Sequence, residues 1–415
     1  MVDEDLLALV GGTLIDGTGR GPVQDAVVLV QGSTVREAGS RTEVGIPQGC
    51  EVIDTTGRTI MPGMFDCHCH VSLTTMSVEK RLFTPPTVET FKTAEMMKRT
   101  LHAGFTTIRE PGIANDVGLR VAVEMGLVEG PRMIMAAGLG QIGGHLDDYY
   151  PRGLSVPLYT GVEICSGVAD VQRATRKALR EGFDFIKVCA TGGVASPADS
   201  PNYNEWTLEE LKTIVHEASA RGKAVMAHAE GTQGIKNAIR AGVWSIEHGS
   251  MLDNEAIQML LDSNTYLVPT LFIAEELAEH GKEMGLSAVA LEKIKKIREV
   301  HAESFTKAAA AGVKIAVGSD AIDETMHGRN ARELEHMVRR GFTPMQAIVA
   351  ATKTSAEACR VDDRVGVIEA DKLADVLVVD GDPLDDVRIL QDASRLLMVM
   401  KEGTFYVNSL KERTA

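Results

Sequence analysis

Between Pro62 and Arg360 the sequence alternates short apolar runs with amphipathic stretches, and this alternation limits the fold more than any other feature. Seven of the runs are "FTTIREPG", "RMIMAAG", "FDFIKVCATGG", "AVMAHAEG", "VWSIEHGS", "TYLVPTL" and "VKIAVGSDA". They are short, apolar and punctuated by Gly, Pro or Asp, as strands buried on both faces of a parallel sheet should be. Between them, "TLEELKTIVHEASARG" sets Leu208, Leu211, Ile214, Val215 and Ala218 on one helical face, and Thr207 with Glu210 forms a capping box at its start. "TQGIKNAIRAGV" places Ile235, Ala238, Ile239 and Val243 on similar spacing. With "IMPGMFDCHCHV" as the first, there are eight strands, each with room for a helix after it. The expectation is an α/β chain whose residues 62–360 form a (β/α)8, TIM-like barrel.

The two ends of the chain have a different texture. "LALVGGTLID", "AVVLVQGSTV" and "CEVIDTTGRTIMPG" at the start, and "ADVLVVDGDP" and "RLLMVMKEGTFYV" at the end, are Val, Ile and Leu runs broken by turn residues. Residues 1–61 and 361–415 are expected to pair into one small β-sandwich module beside the barrel.

A chain of 415 residues can hold both parts. Aromatics make up only 4%, so the core must rest on Ala, Val, Ile, Leu and Met. The net charge of −15 argues against a nucleic-acid partner, whose phosphates call for basic patches. The six cysteines, at positions 50, 67, 69, 165, 189 and 359, form no C-x-x-C pair and suggest no disulfide framework. The start, "MVDEDLLALVGG", is acidic where a signal peptide would be basic, and no apolar window of about 18 residues could span a membrane. A cytoplasmic location without membrane contact is the expectation.

The chemistry concentrates at strand ends. In "DCHCH", alternation along a strand from Phe65 to Val71 would send His68 and His70 to one face and Cys67 and Cys69 to the other. The histidines suit a metal, and the cysteines suit packing. Lys187 lies in an apolar strand, where an unpaired ammonium is costly. His228, His248 and Asp320 close later strands, at the end where barrel enzymes build active sites. Any one of these could be a satisfied core residue; the set together argues otherwise.

This set resembles the amidohydrolase superfamily, and the likeness runs over nearly the whole chain, from "GMFDCHCH" to "ADVLVVDGDPLDDV". "GLGQIGGH", "KVCATGGVASP" and "HGRNARELEHM" are similar to the imidazolonepropionase-related group that includes Xaa-Pro dipeptidases. The resemblance implies two divalent metal ions, with zinc the first choice. His68, His70 and Asp320 would hold the more buried ion, His228 and His248 the more exposed one, and a carboxylated Lys187 would bridge them. A hydroxide shared by the ions would be the nucleophile, with Asp320 as general acid and base. His145, in "GGHLDD", is similar to a histidine near the substrate carbonyl; an exposed loop histidine is the alternative. A homo-oligomer is implied as well.

The remaining candidates for substrate contact are Glu230, His327, Tyr149 and Arg152. Tyr149 and Arg152, with Tyr150, could grip a carboxylate or simply belong to a solvated loop. His327 could reach the site, or its segment could serve only a helix start at Asn330 and Glu333. Glu230 stands where the Xaa-Pro dipeptidases tend to carry a tyrosine, and it could face the substrate or orient a metal-ligating histidine. The substrate implied is a small amide, such as a dipeptide or an N-acyl amino acid. A carbamate, urea or cyclic amide is the alternative within the same site. A one-metal deaminase would not be expected to need Lys187, and a non-catalytic scaffold should have lost ligands.

Overall fold

The computed structural model describes residues 6–112, 117–147, 162–195 and 199–410. The N-terminal strands are β1 (Leu6–Leu14), β2 (Val23–Gln31), β3 (Thr34–Ser40), β4 (Glu51–Asp54) and β5 (Thr59–Pro62). The middle of the chain supplies β6 (Met64–Asp66), β7 (Phe105–Glu110), β8 (Arg132–Gln141), β9 (Val162–Cys165), β10 (Phe185–Cys189), β11 (Ala224–Ala229), β12 (Ser245–His248) and β13 (Tyr266–Val268). The C-terminal end adds β14 (Val376–Val379), β15 (Leu396–Lys401) and β16 (Thr404–Asn408).

The strands from the two ends form one mixed sheet in the order β16-β15-β14-β5-β1-β2-β3, with β4 parallel to β1. The join is the antiparallel pair β5–β14, with Ile60 opposite Val378. The expected sandwich is therefore a single hydrogen-bonded sheet, because β5 and β14 pair edge to edge where two stacked sheets were anticipated. Alternate residues of β1 and β2 feed two apolar clusters, one holding Leu9 and Val28, the other Val10 and Val27. That two-sided burial explains their nearly unbroken Leu and Val runs.

The second sheet is parallel and curled, in the order β13-β12-β11-β10-β8-β7-β6, with β9 added on the last residues of β8. One cluster, including Phe65, Ile134, Phe185, Met226 and Val268, gathers side chains from across this sheet. The larger cluster packs the sheet against its helices. In helix Leu208–Ser219, Leu211, Ile214 and Ala218 are buried, and the Thr207–Glu210 capping box is in place. No helix among the described residues is long and apolar enough to cross a membrane.

Two strand expectations need correction. The first strand ends at Asp66, so "CHCH" is not part of it. The backbone there bonds to two neighbours in turn, Cys67 N to Val317 O and Cys69 N to Arg109 O; His68 and His70 still share the cavity, while Cys67 and Cys69 fall in different apolar clusters. "VKIAVGSDA" is not a strand either. It makes isolated bridges on both sides, Ile315 with Leu267 and Ala321 with Cys69. Regular extension stops at Gly318 and Asp320. A Cβ at Gly318 would lie 2.4 Å from the Val268 side chain, and Asp320 has φ 52°.

Candidate metal centre

His68, His70, His145, Lys187, His228, Glu230, His248 and Asp320 all line one cavity. They arrive there from separate places in the chain. His228 is in β11, His248 closes β12, and Lys187 is the central residue of β10. The bridge between Cys69 and Ala321 brings the "CHCH" turn alongside Asp320, whose N–H donates to His68 O at 2.7 Å.

Three cavity residues, His248, Thr270 and Asp320, have left-handed backbones, with φ of 70°, 52° and 52°. Such conformations cost of order 1–3 kcal/mol each in non-glycine residues and gather at functional sites. At His248 the consequence is direct. Adjacent strand residues point to opposite faces, yet Glu247 and His248 both reach the interior, because the left-handed backbone turns the second side chain back toward it.

Asp320 Oδ1 lies 3.5 Å from His68 Nε2 and 3.4 Å from His70 Nε2. One ligand atom each from His68, His248 and Asp320 lie within 4.8 Å of one another, so these three residues could hold an ion. His248 therefore stands close to the histidine expected at the more buried ion as well as to His228, whose ring centroid is 4.5 Å away. Among the described residues His70 Nδ1 is buried with no hydrogen-bond partner, and Glu110 Oε1 lies 3.6 Å from it. Lys187 is buried, and among the described residues no hydrogen bond or ion pair reaches its ammonium. A buried ammonium without a hydrogen-bonded partner is costly; an anionic carbamate there would instead offer two oxygen ligands. The donor set thus fits divalent ions and a modified lysine.

Protonation agrees with this. Burial, joined by the nearby Lys187 charge, holds His68 and His248 well below the usual histidine range, and burial with the His248 charge does the same for His228. Neutral imidazole is the form that binds metal. Burial raises the Asp320 carboxyl, against the opposing pull of His70 and Lys187.

His145 enters the cavity with its ring stacked on His228 at 4.6 Å, and its Nδ1 is 2.8 Å from Asp199 Oδ2. Gly144 before it is small by necessity, since a Cβ there would meet Glu205 Oε2 at 2.6 Å. Glu230 lines the cavity too. Its Oε1 is 3.7 Å from His228 Nε2 and its Oε2 accepts from Ser250 Oγ at 3.1 Å, while burial pushes the carboxyl up to about 8. Both readings of Glu230 are thus compatible with its position.

His327 is elsewhere. It is buried behind the cavity wall, with Nδ1 3.0 Å from Thr100 Oγ1 and close to the Cys69 sulfur. Asn330 and Glu333 do not form a capping pair for helix Arg332–Arg339, whose N-cap position is Ala331 and whose first turn contains Glu333. Asn330 Nδ2 donates to Asp66, and Glu333 accepts from Leu271 N and Phe272 N of another helix. Tyr149, Tyr150 and Arg152 lie outside the described residues. The cysteines pack, as expected: Cys67 Sγ faces Cys359 Sγ at 3.6 Å, and all six thiols are free.

The sequence reading missed the supporting polar groups. Glu247 bonds His68 Nδ1, Thr270 Oγ1 is 2.6 Å from His248 Nδ1, and Asp66 accepts from His68 N and Ser319 N. Their only signal was polarity inside apolar strands, as with Glu247 in "SIEH" and Arg109 in "TTIRE".

A curled parallel sheet that collects imidazoles, a lysine and an aspartate in one cavity is the architecture of a hydrolase site. The chain belongs to the amidohydrolase family, whose model matches residues 59–405, and it is a hydrolase acting on amide bonds. The ochratoxinase of Aspergillus niger is 32% identical to it over 95% of this chain and 85% of that protein. The crystal structure of A. niger ochratoxinase superposes with a TM-score of 0.86, covering 98% of this chain and 96% of that one at 28% identity. A Xaa-Pro dipeptidase with methionine bound in its active site gives a TM-score of 0.89 at 32% identity, over 97% of this chain and all of that one (100%). The imidazolonepropionase of Rhizobium rhizogenes is 22% identical over 86% of each chain. The expected kinship is met.

Proposed function

We propose that this chain hydrolyses the amide bond of a small substrate, a dipeptide or an N-acyl amino acid, with two divalent ions, zinc first among them. The observation that carries the proposal is the convergence of six candidate ligands from five places in the chain on one cavity. His68, His70 and Asp320 would hold one ion and His228 and His248 the other, with carboxylated Lys187 between them. Such ions supply an acidified water and a polarised carbonyl.

The chain's own residues do the rest. Asp320 Oδ1, facing both His68 and His70, takes the proton of the attacking water and delivers it to the leaving nitrogen. His145, steadied by Asp199, faces the scissile carbonyl and offers a hydrogen bond to the developing oxyanion. Leu73, Ile273, Leu277, Ile294 and Ile297 line the cavity on its apolar side and exclude water around an apolar substrate group. Glu230 beside them, its carboxyl pushed up to about 8 by burial, keeps its proton at neutral pH and can donate a hydrogen bond to the substrate. The ochratoxinase and Xaa-Pro dipeptidase relatives support an amide substrate. In this reading residues 62–360 are the catalytic unit, with residues 313–321 as the eighth stave of a barrel, and residues 1–61 with 361–415 are the β module. Six free thiols suit a cytoplasmic protein.

The test is metal analysis of protein prepared with zinc and bicarbonate, followed by a screen of dipeptides, N-acyl amino acids and small carbamates. About two bound equivalents and turnover of an amide are expected. Protein that retains no metal would be a scaffold, and turnover of carbamates alone would reassign the substrate.

A further inference from the structure

The segment "HGRNARELEHM" puts no residue in the cavity lining, yet it grips the helix that forms one cavity wall. That helix, Leu271–His280, contributes Ile273, Ala274 and Leu277 to the lining. Glu333, fully buried, accepts from the helix's first two N–H groups, Leu271 N at 2.9 Å and Phe272 N at 2.6 Å. Arg329 and Arg332 bind Glu276 one turn further on, at 2.7 and 2.9 Å. The helix start is therefore fixed from outside, by a carboxyl group 62 residues from Leu271 in sequence.

The residue just before that start is Thr270. Its backbone is left-handed, with φ 52° and ψ 49°, and its side chain does not cap the helix. A β-branched residue in this region is a genuine outlier, where glycine would be relaxed. The threonine hydroxyl has a different partner: Oγ1 is 2.6 Å from His248 Nδ1. An imidazole that binds a metal through Nε2 carries its proton on Nδ1 and needs an acceptor there to fix ring and tautomer. With Nδ1 engaged, Nε2 is the ring nitrogen left for the cavity.

We infer that Thr270 is a positioning residue for His248: its hydroxyl accepts the Nδ1 proton and aims Nε2 into the metal centre, and Glu333 holds Thr270 in the strained backbone that makes this contact. The inference rests on the reading of His248 as a metal ligand. It gives "HGRNARELEHM" a role at the centre that involves no contact with substrate.

The test uses the full chain, stripped with a chelator and titrated with zinc alone against a chromophoric competitor. The variants are T270V, T270S and E333Q, with thermal unfolding of each metal-free protein alongside. T270V keeps the β-branch and removes the hydroxyl. It should weaken zinc binding by about 10- to 100-fold while the metal-free protein unfolds near the wild-type temperature. T270S should recover most of the affinity, and E333Q, which keeps one acceptor oxygen for two donors, should fall between. Wild-type zinc affinity in T270V would overturn the inference, and so would a loss that T270S does not repair, since packing alone would then explain it. Should T270V fail to fold, E333Q carries the test, and unchanged affinity there overturns it. A wild-type protein that takes up no zinc would instead refute the metal reading beneath it.

Discussion

His68 Nδ1 and Glu247 Oε2 lie 2.8 Å apart, both with side chains almost wholly removed from water. The other Glu247 oxygen is 2.9 Å from Arg109 Nη2 and accepts from Ser245 Oγ at 2.5 Å, and Arg109 Nε donates to Cys67 O at 2.7 Å. One buried carboxylate thus neutralises one buried guanidinium and orients one histidine. Removing a partner from such a pair costs about 3–5 kcal/mol, because the remaining charge is left uncompensated. Glu247→Gln keeps the shape and deletes the charge. Chemical denaturation should show a loss of that order, and zinc titration a drop of about 10- to 100-fold in affinity. Unchanged zinc binding would show that His68 needs no orienting carboxylate.

Lys187→Ala tests the bridge. The lysine is buried with no hydrogen-bond or ion-pair partner among the described residues, so little direct bonding is lost with it. The metal-free variant should be no less stable than the wild type beyond the cavity it creates. It should nonetheless lose bound zinc and turnover, and short carboxylic acids should restore part of both. Full activity without such acids rejects the bridging role.

His145→Asn separates two functions of one side chain. Its ring is held by Asp199 and stacked on His228, one of the proposed metal ligands. If it acts on the oxyanion, kcat and kcat/KM fall together by about 100-fold or more with KM little changed. A rise in KM alone would assign it to ground-state binding of substrate.

The parts of this fold that could be read from sequence are those governed by local pattern. The helix Leu208–Ser219 announced itself through its Thr207–Glu210 box and apolar face, and β10 to β12 through short apolar runs. The residues at strand ends, His228, His248 and Asp320, stood out because polar groups there interrupt apolar runs. The rest depended on tertiary contacts. "VKIAVGSDA" reads as a strand, but it is joined to its neighbours only through isolated bridges, Ile315 with Leu267 and Ala321 with Cys69, and Asp320 has a left-handed backbone. Asn330 and Glu333 have the spacing of a capping pair. Their side chains are taken instead by Asp66 and by the start of helix Leu271–His280, partners that sequence spacing cannot supply. His327 failed for the same reason: the loop passes close to the site, but its ring is committed to Thr100.

Glu205 gives the protein a pH dependence that can be predicted with its sign. Burial pushes its carboxyl up to about 9 from an ordinary 4.5; the His145 N–H bonded to Oε1 opposes this, and the Asp199 charge adds to it. Oε2 is buried with no partner among the described residues, as suits a carboxyl that keeps its proton. The folded state therefore holds that proton more tightly than the unfolded chain does. The stabilisation from this group is complete below the unfolded value of 4.5 and is lost as pH rises through about 9. Glu205→Gln keeps an acceptor for His145 N–H and does not titrate. Urea denaturation of the metal-free proteins should show wild-type stability declining across that interval and the variant declining less, so that the difference moves in the variant's favour toward high pH. Parallel curves for the two proteins would mean that Glu205 is ionised in the fold.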